Sequence, residues 1–302
     1  MNDLSPDRQK LMRQLNNASR FTKRKRIARL ARHPWRMLYP KLLEVGRRPK
    51  EIRSRTFWGG EMNVIYPETV SMNIWRYGYF EEAVCLYIIN HLKEGMTFID
   101  IGAHFGFFTL LGSHLVGPKG RVLAFEPTPS TCRQLQKNIV NYSEHPNIQI
   151  FNCAAYNEER EIKFYDYGIQ YSALNSGFGI RRKDAAAIAK NEIKVEARKL
   201  DNILKERGID HVDLIKIDAE SSEIHVLRGM AETLKNSRPA LILEVGDFEI
   251  DGVPRSKEIV AWLQGMGYSP YQVREGKMVP HEVMENYEYD NLLFLPNNRL
   301  SH

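Results

Sequence analysis

At 302 residues, with 43% hydrophobic and 26% charged residues, the chain has the composition of a globular protein large enough for one big domain or two small ones. Cys85, Cys132 and Cys153 are too few and too scattered for a disulfide framework, a paired zinc site or a redox dithiol. They are expected as small buried hydrophobes in a reducing cytoplasm. The net charge of +6 conceals a division, because residues 1–55 hold 17 Lys and Arg against Asp3, Asp7, Glu44 and Glu51, leaving 26 bases and 33 acids for the rest.

Residues 1–55 therefore read as a basic arm. Between Arg20 and Arg36 it has eight bases, no acid, and Phe21, Ile27, Leu30, Ala31 and Trp35 at helical spacing. A basic amphipathic helix of this kind suits peripheral contact with an anionic membrane, at its inner face, or with another polyanion. A solvated helix packed on the domain, or a partly disordered arm, is the competing reading. No run reaches the ~20 apolar residues of a membrane span, and no apolar leader opens the sequence.

Residues 56–80 carry short aromatic and β-branched runs broken by Gly59-Gly60 and Pro67, which predicts a small sheet or lid. Helical spacing follows from Glu81 to Lys93. Apolar strand-like runs then recur at 97–101, 122–125, 148–153, 212–217, 240–245 and 292–295, with helix-like stretches between most of them. This alternation predicts an α/β fold, a Rossmann-like doubly wound parallel sheet covered on both faces. Gly117-Pro118, Pro146 and Arg238-Pro239 mark helix ends, the last closing a helix that begins near Ser222. Residues 157–199 interrupt the alternation and predict a hairpin-like insertion above the carboxyl edge of the sheet, where loops shape substrate pockets.

The strongest local signal is Phe98–Thr109. A buried strand ends at Asp100, Gly102 makes a turn, and Gly106 opens a helix. The two glycines remove β-carbons where backbone approaches a ligand, and Asp100 can hold a cationic or hydroxylated part of it. The spacing is not that of the dinucleotide fingerprint. The next strand ends at Glu126-Pro127, 20 residues beyond Gly106, where a carboxylate can accept hydrogen bonds from both ribose hydroxyls. The third strand runs into Asn152, Cys153, Ala154 and Ala155, small residues where an adenine ring needs a narrow slot. The fourth brings Asp218 and Glu220 to the same edge, followed by Glu223 as a first-turn helix acid. The fifth adds Glu244 and Asp247.

These residues resemble the FkbM family of methyltransferases. The matching pieces are RYGYFEE (76–82), FIDIGAHFGFFT (98–109), VLAFEP (122–127), NCAA (152–155), DLIKIDAESSEIHVLRG (213–229) and RPALILEV (238–245), in the family's order. The resemblance implies a class I sheet of seven strands whose last two form an antiparallel pair, here 268–273 and 290–295. It also implies S-adenosylmethionine as cofactor. Asp100, Gly102, Ala103 and Gly106 would hold the methionine part, Glu126 the ribose, and Asn152 with Ala154 the adenine surroundings, with His104, Thr109, Pro127 and Ala155 counted among the cofactor-binding residues. Glu81 and Asp218 would line the same pocket. The chain departs from the family at His104 (usually Asn), at Ser221 (usually Gly) and at Ile224 (often His, with His225 one residue away). The domain reading is an arm of 1–55 and a methyltransferase domain of 56–302, its pre-core segment at 56–94 and its core at 95–296.

Methyl transfer needs an aligned acceptor and a place for its proton. Asp218 is the expected base, with Glu220, His225 or Glu244 nearby. A magnesium ion on Asp218, Glu244 and Asp247 is the less favoured arrangement. No Pro-Pro-Tyr turn or Pro-Cys pair points to base or pyrimidine methylation, and the resemblance points to O-methylation of a sugar, glycan, glycolipid or polyketide-like metabolite. With the basic arm, an anionic or membrane-borne glycan is the preferred acceptor. The rivals are an NAD-dependent oxidoreductase, a non-catalytic polyanion-binding module and an RNA methyltransferase. The acidic balance of residues 56–302 counts against nucleic acid.

Overall fold

The computed structural model describes residues 5–22, 49–178, 191–247, 252–274 and 276–297. The chain enters through α1 (Pro6–Thr22), the hairpin β1 (Lys50–Arg55) with β2 (Glu61–Tyr66), then α2 (Thr69–Tyr77) and α3 (Glu82–His91). The hairpin and α2 realise the small sheet expected before the core. The arm's last six residues supply β1. Its first helix is docked, with Leu11 and Leu15 buried and Arg8 donating to the Ile89 carbonyl at 3.0 Å. Most of the basic 20–36 stretch lies outside the described residues. Among the described residues no helix is long and apolar enough to cross a membrane.

The core follows as β3 (Thr97–Ile101), α4 (Phe107–Val116), β4 (Arg121–Phe125), α5 (Pro129–Tyr142) and β5 (Ile148–Phe151). After it come β6 (Ala154–Ala155), β7 (Arg160–Asp166), a 3-10 helix (Ile169–Leu174), β8 (Asn191–Arg198), α6 (Leu200–Glu206), β9 (Leu214–Ile217), α7 (Glu223–Arg228), α8 (Ala231–Asn236) and β10 (Ala240–Val245). The chain closes with α9 (Ser256–Gly265), β11 (Tyr268–Arg274), β12 (Lys277–Pro280) and β13 (Asp290–Pro296).

Every residue of β3, β9 and β10 is buried, as expected for strands covered on both faces. The large sheet has the order β12-β11-β13-β10-β9-β3-β4-β5. Strands β5, β4, β3, β9 and β10 are parallel, and β13 runs antiparallel between β10 and β11. The sheet has eight strands where seven were expected, because the chain turns back after β11 and adds β12 at the edge. Alternate side chains feed two cores. Ile99, Ile101, Ile215 and Ile217 pack with α6 to α9, while Phe98, Leu214 and Ile242 pack with α1, α3 and α4.

The insertion is a small sheet in which β7 pairs antiparallel with β8 and β6 runs parallel to β8. The stretch after Ser222 forms two helices rather than the single one expected. Gly229 parts them where a β-carbon would lie 1.9 Å from the Tyr156 carbonyl oxygen, so the chain there is pressed against the insertion's base.

Candidate active site

Strand order reverses at β3, whose neighbours β4 and β9 lead to opposite ends of the sheet. The crevice beyond such a carboxyl edge is where open α/β sheets bind ligands. The turn after β3 is pinned to β4, since the N–H groups of Gly102 and Ala103 donate to the Phe125 carbonyl at 3.0 and 2.9 Å. Gly102 (φ 73°) and Gly106 (φ 93°) take the left-handed conformation, and so does His104 (φ 51°). The His104 N–H donates to Oε2 of Glu126 at 3.0 Å, and Oε1 of Glu126 accepts from the Thr128 N–H at 3.0 Å. Burial pushes the Glu126 carboxyl up to about 7, against those two hydrogen bonds.

A cavity of about 580 Å³ opens over this edge, within the range of small-molecule sites, and 11 of the expected residues line it: Glu81, Gly102, Ala103, His104, Glu126, Pro127, Ala154, Ala155, Asp218, Glu220 and Glu244. The other five lie behind it. Asp100 is fully buried, its Oδ2 accepting from the Thr109 hydroxyl at 2.6 Å, so these two residues brace the turn from beneath. Gly106 caps α4. Asn152 donates to the Glu126 and Pro127 carbonyls at 2.8 and 3.1 Å and holds the end of β4. His225 stacks on Tyr156 at 4.5 Å and on Phe178 at 6.1 Å; Tyr156, not the imidazole, lines the cavity.

Asp218, Glu220 and Glu244 bring three carboxylate oxygens within 4.8 Å of one another. Asp247 lies apart, its oxygens accepting from the backbone of Ser256 at 2.7 Å and Tyr287 at 2.8 Å. Glu223 stands in the first turn of α7, and its Oε1 accepts from the Ala219 and Ser221 N–H groups of the loop before the helix at 3.1 and 3.2 Å. Glu81 accepts from the Tyr289 hydroxyl and from Asn291 Nδ2. Burial, and then the charge of Asp218, raises the Glu81 carboxyl above its ordinary value.

Sequence reasoning passed over three contributors. Lys216 is 2% exposed, with Nζ 3.2 Å from Asp218 Oδ2 and 3.7 Å from Asp100 Oδ1. Burial opposes its charge, yet Asp218, Asp100 and Glu81 outweigh that and hold the ammonium above its usual range. A lysine inside an apolar strand was the available signal, because a buried charge demands partners. Tyr289 lines the cavity from just before β13, and Ser172 of the 3-10 helix closes it through a 2.7 Å hydrogen bond with His104 Nε2. Nothing local in the sequence joins either to the turn.

A doubly wound sheet, a glycine turn after its central strand and an acid at the next strand's end define a nucleoside-cofactor-binding α/β protein. The Methyltransferase FkbM domain matches residues 100–270, and the chain belongs to this family of S-adenosylmethionine-dependent methyltransferases. That membership displaces the oxidoreductase reading. The chain is 28% identical over 200 residues to the 31-O-demethyl-FK506 methyltransferase FkbM of Streptomyces tacrolimicus, covering 59% of this chain and 74% of that one. It is 30% identical over 185 residues to the AMB antimetabolite synthetase AmbE of Pseudomonas aeruginosa, covering 52% of this chain and 9% of the relative. The crystal structure of methyltransferase FkbM from Methylobacillus flagellatus superposes with a TM-score of 0.42 at 16% identity, over 74% of this chain and 52% of that one.

The residues present fit S-adenosylmethionine. Glu126, Ala154 and Ala155 line the cavity, a carboxylate able to accept hydrogen bonds from hydroxyls and two small side chains that leave room for a flat ring. Six carboxylates against Lys216 among the described lining residues suit a ligand that carries a sulfonium and an ammonium ion.

Proposed function

We propose that this chain methylates a hydroxyl group of a sugar, glycan, glycolipid or polyketide-like metabolite, with Asp218 accepting the hydroxyl proton. The observation that carries the reading is the position of Asp218. It lines the same cavity as Glu126 and the glycine turn, and it stands at the acidic end with Glu220 and Glu244. The cofactor supplies an electrophilic methyl carbon. The protein's part is to align the acceptor, exclude water and take the proton. The Streptomyces relative is named for a 31-O-demethyl substrate, which supports oxygen as the acceptor atom.

The test is transfer of labelled methyl from S-adenosylmethionine to a panel of sugars, glycolipids and hydroxylated polyketides. Asp218→Asn should lower transfer by about 10²- to 10⁴-fold while affinity for S-adenosylhomocysteine, measured by calorimetry, stays within about threefold. Undiminished transfer by Asp218→Asn would remove the base assignment. A second reading, a divalent ion on Asp218, Glu220 and Glu244, is favoured only by their mutual closeness. Lys216 already answers part of that charge, so EDTA should leave transfer unchanged. Loss restored by magnesium would instead assign the three carboxylates to a metal.

A further inference from the structure

Lys216 has no part in the scheme above, yet its placement is set by the sheet. In the parallel pairing of β3 with β9, Lys216 is the register partner of Asp100. Side chains alternate along a strand, so Lys216 shares its face with Leu214 while Ile215 and Ile217 feed the opposite core. Two residues on, Asp218 returns to the Lys216 side at the strand's end. The result is a row of acid, ammonium and acid, with Thr109 holding Asp100 from below. The Phe108 ring closes the lysine's flank, its centroid 5.2 Å from Nζ. Glu81 reaches the same point from the start of α3 and carries Tyr289 on its other side.

Lys216 touches the cavity wall but is 2% exposed, and its ammonium ion lies 3.7 Å from Asp100 Oδ1 and 3.2 Å from Asp218 Oδ2. Asp218 differs, its side chain being 25% exposed, and the 3.2 Å ion pair from Lys216 ties its Oδ2 to a group that the sheet holds in place. Misplacing a catalytic group by about 1 Å can cost about 100-fold.

We propose that Lys216 is a positioning residue for methyl transfer: fixed to Asp100 by strand register, its ammonium holds Oδ2 of Asp218 and so sets the direction in which that carboxylate meets the acceptor hydroxyl. The proposal rests on the reading of Asp218 as the base. It makes the DLIKID segment a single device, in which the lysine sets the direction of the aspartate two residues later.

The experiment is a carbon-13 titration of aspartate carboxyls, with Asp218 assigned by its loss in Asp218→Asn, read in the wild type, Lys216→Met and Lys216→Arg. In Lys216→Met the Asp218 titration should move up by more than about one pH unit, and methyl transfer should fall about 100-fold. Affinity for S-adenosylhomocysteine should stay within about threefold, which a merely structural lysine would not allow. Lys216→Arg keeps the charge but not its position, so the titration should stay within about half a unit while transfer falls about tenfold. An unmoved Asp218 titration in Lys216→Met overturns the proposal. If that variant does not fold, Lys216→Arg decides: wild-type transfer, or cofactor affinity lost in parallel with transfer, overturns it. Transfer that survives Asp218→Asn would sink the base assignment instead, and the two failures are distinguishable.

Discussion

A β-carbon placed on Gly102 would fall 1.9 Å from the carbonyl oxygen of Asp218. The end of β9 is thus pressed against the turn after β3, and the Asp218 N–H closes the contact by donating to the Ile101 carbonyl at 3.2 Å. One glycine joins the turn after β3 to the proposed base. It also holds a φ of 73°, where other residues are strained.

Gly102→Ala should therefore cost both stability and binding. The left-handed conformation alone costs about 1–3 kcal/mol, and the overlap is with backbone, which cannot rotate away. Urea unfolding should show a loss of about 2–4 kcal/mol, and calorimetry should show affinity for S-adenosylhomocysteine reduced by more than about tenfold. Near-wild-type values in both would mean that β9 does not abut the turn.

Glu126 predicts opposite pH trends for binding and stability. Its carboxyl is raised from an ordinary 4.5 to about 7 by burial, so the folded, cofactor-free protein holds a proton there that the unfolded chain has released. Stability from this group is present below about pH 4.5 and is lost as pH rises through about 7. Ribose hydroxyls donate best to the ionised form, so affinity for S-adenosylhomocysteine should rise over the same window. Glu126→Gln should flatten both trends and weaken binding by about 1.5–3 kcal/mol, the range for hydrogen bonds to a charged group. His104 also faces this group through its N–H, and burial lowers its imidazole from its usual value. A flat binding profile in the wild type would contradict the assignment.

The parts legible in the sequence were those with local grammar. Buried parallel strands read as continuous apolar runs, and Gly102, Gly106 and Glu126 stand at strand ends that such runs delimit. What escaped depends on register and on distant chain. Lys216 acquires its meaning only when β9 is laid beside β3 with Asp100 opposite, and Tyr289 only when β13 inserts next to β10. His225 was expected near the base, but α7 directs it onto Tyr156 and Phe178. The break at Gly229 was hidden because a glycine in a helical pattern signals a close approach without naming the Tyr156 carbonyl that makes it.

Ser221 offers the sharpest test of local strain. Glu220 and Ser221 follow each other in the left-handed region, at φ 49° and 76°, and Ser221 is 4% exposed. A non-glycine residue there costs about 1–2 kcal/mol, whereas glycine adds about 0.4–1 kcal/mol of unfolded-state entropy to be lost on folding. The first term is larger, so Ser221→Gly should stabilise the protein by about 0.5–1 kcal/mol, read as a higher urea midpoint at unchanged slope. The hydrogen bond from the Ser221 N–H to Glu223 is a backbone donation and survives the substitution, so the turn keeps its path and Glu220 its place beside Asp218. A lower midpoint would show that contacts of the serine hydroxyl outweigh the strain, and that this chain uses them to hold the acidic turn in a conformation that glycine would adopt unaided.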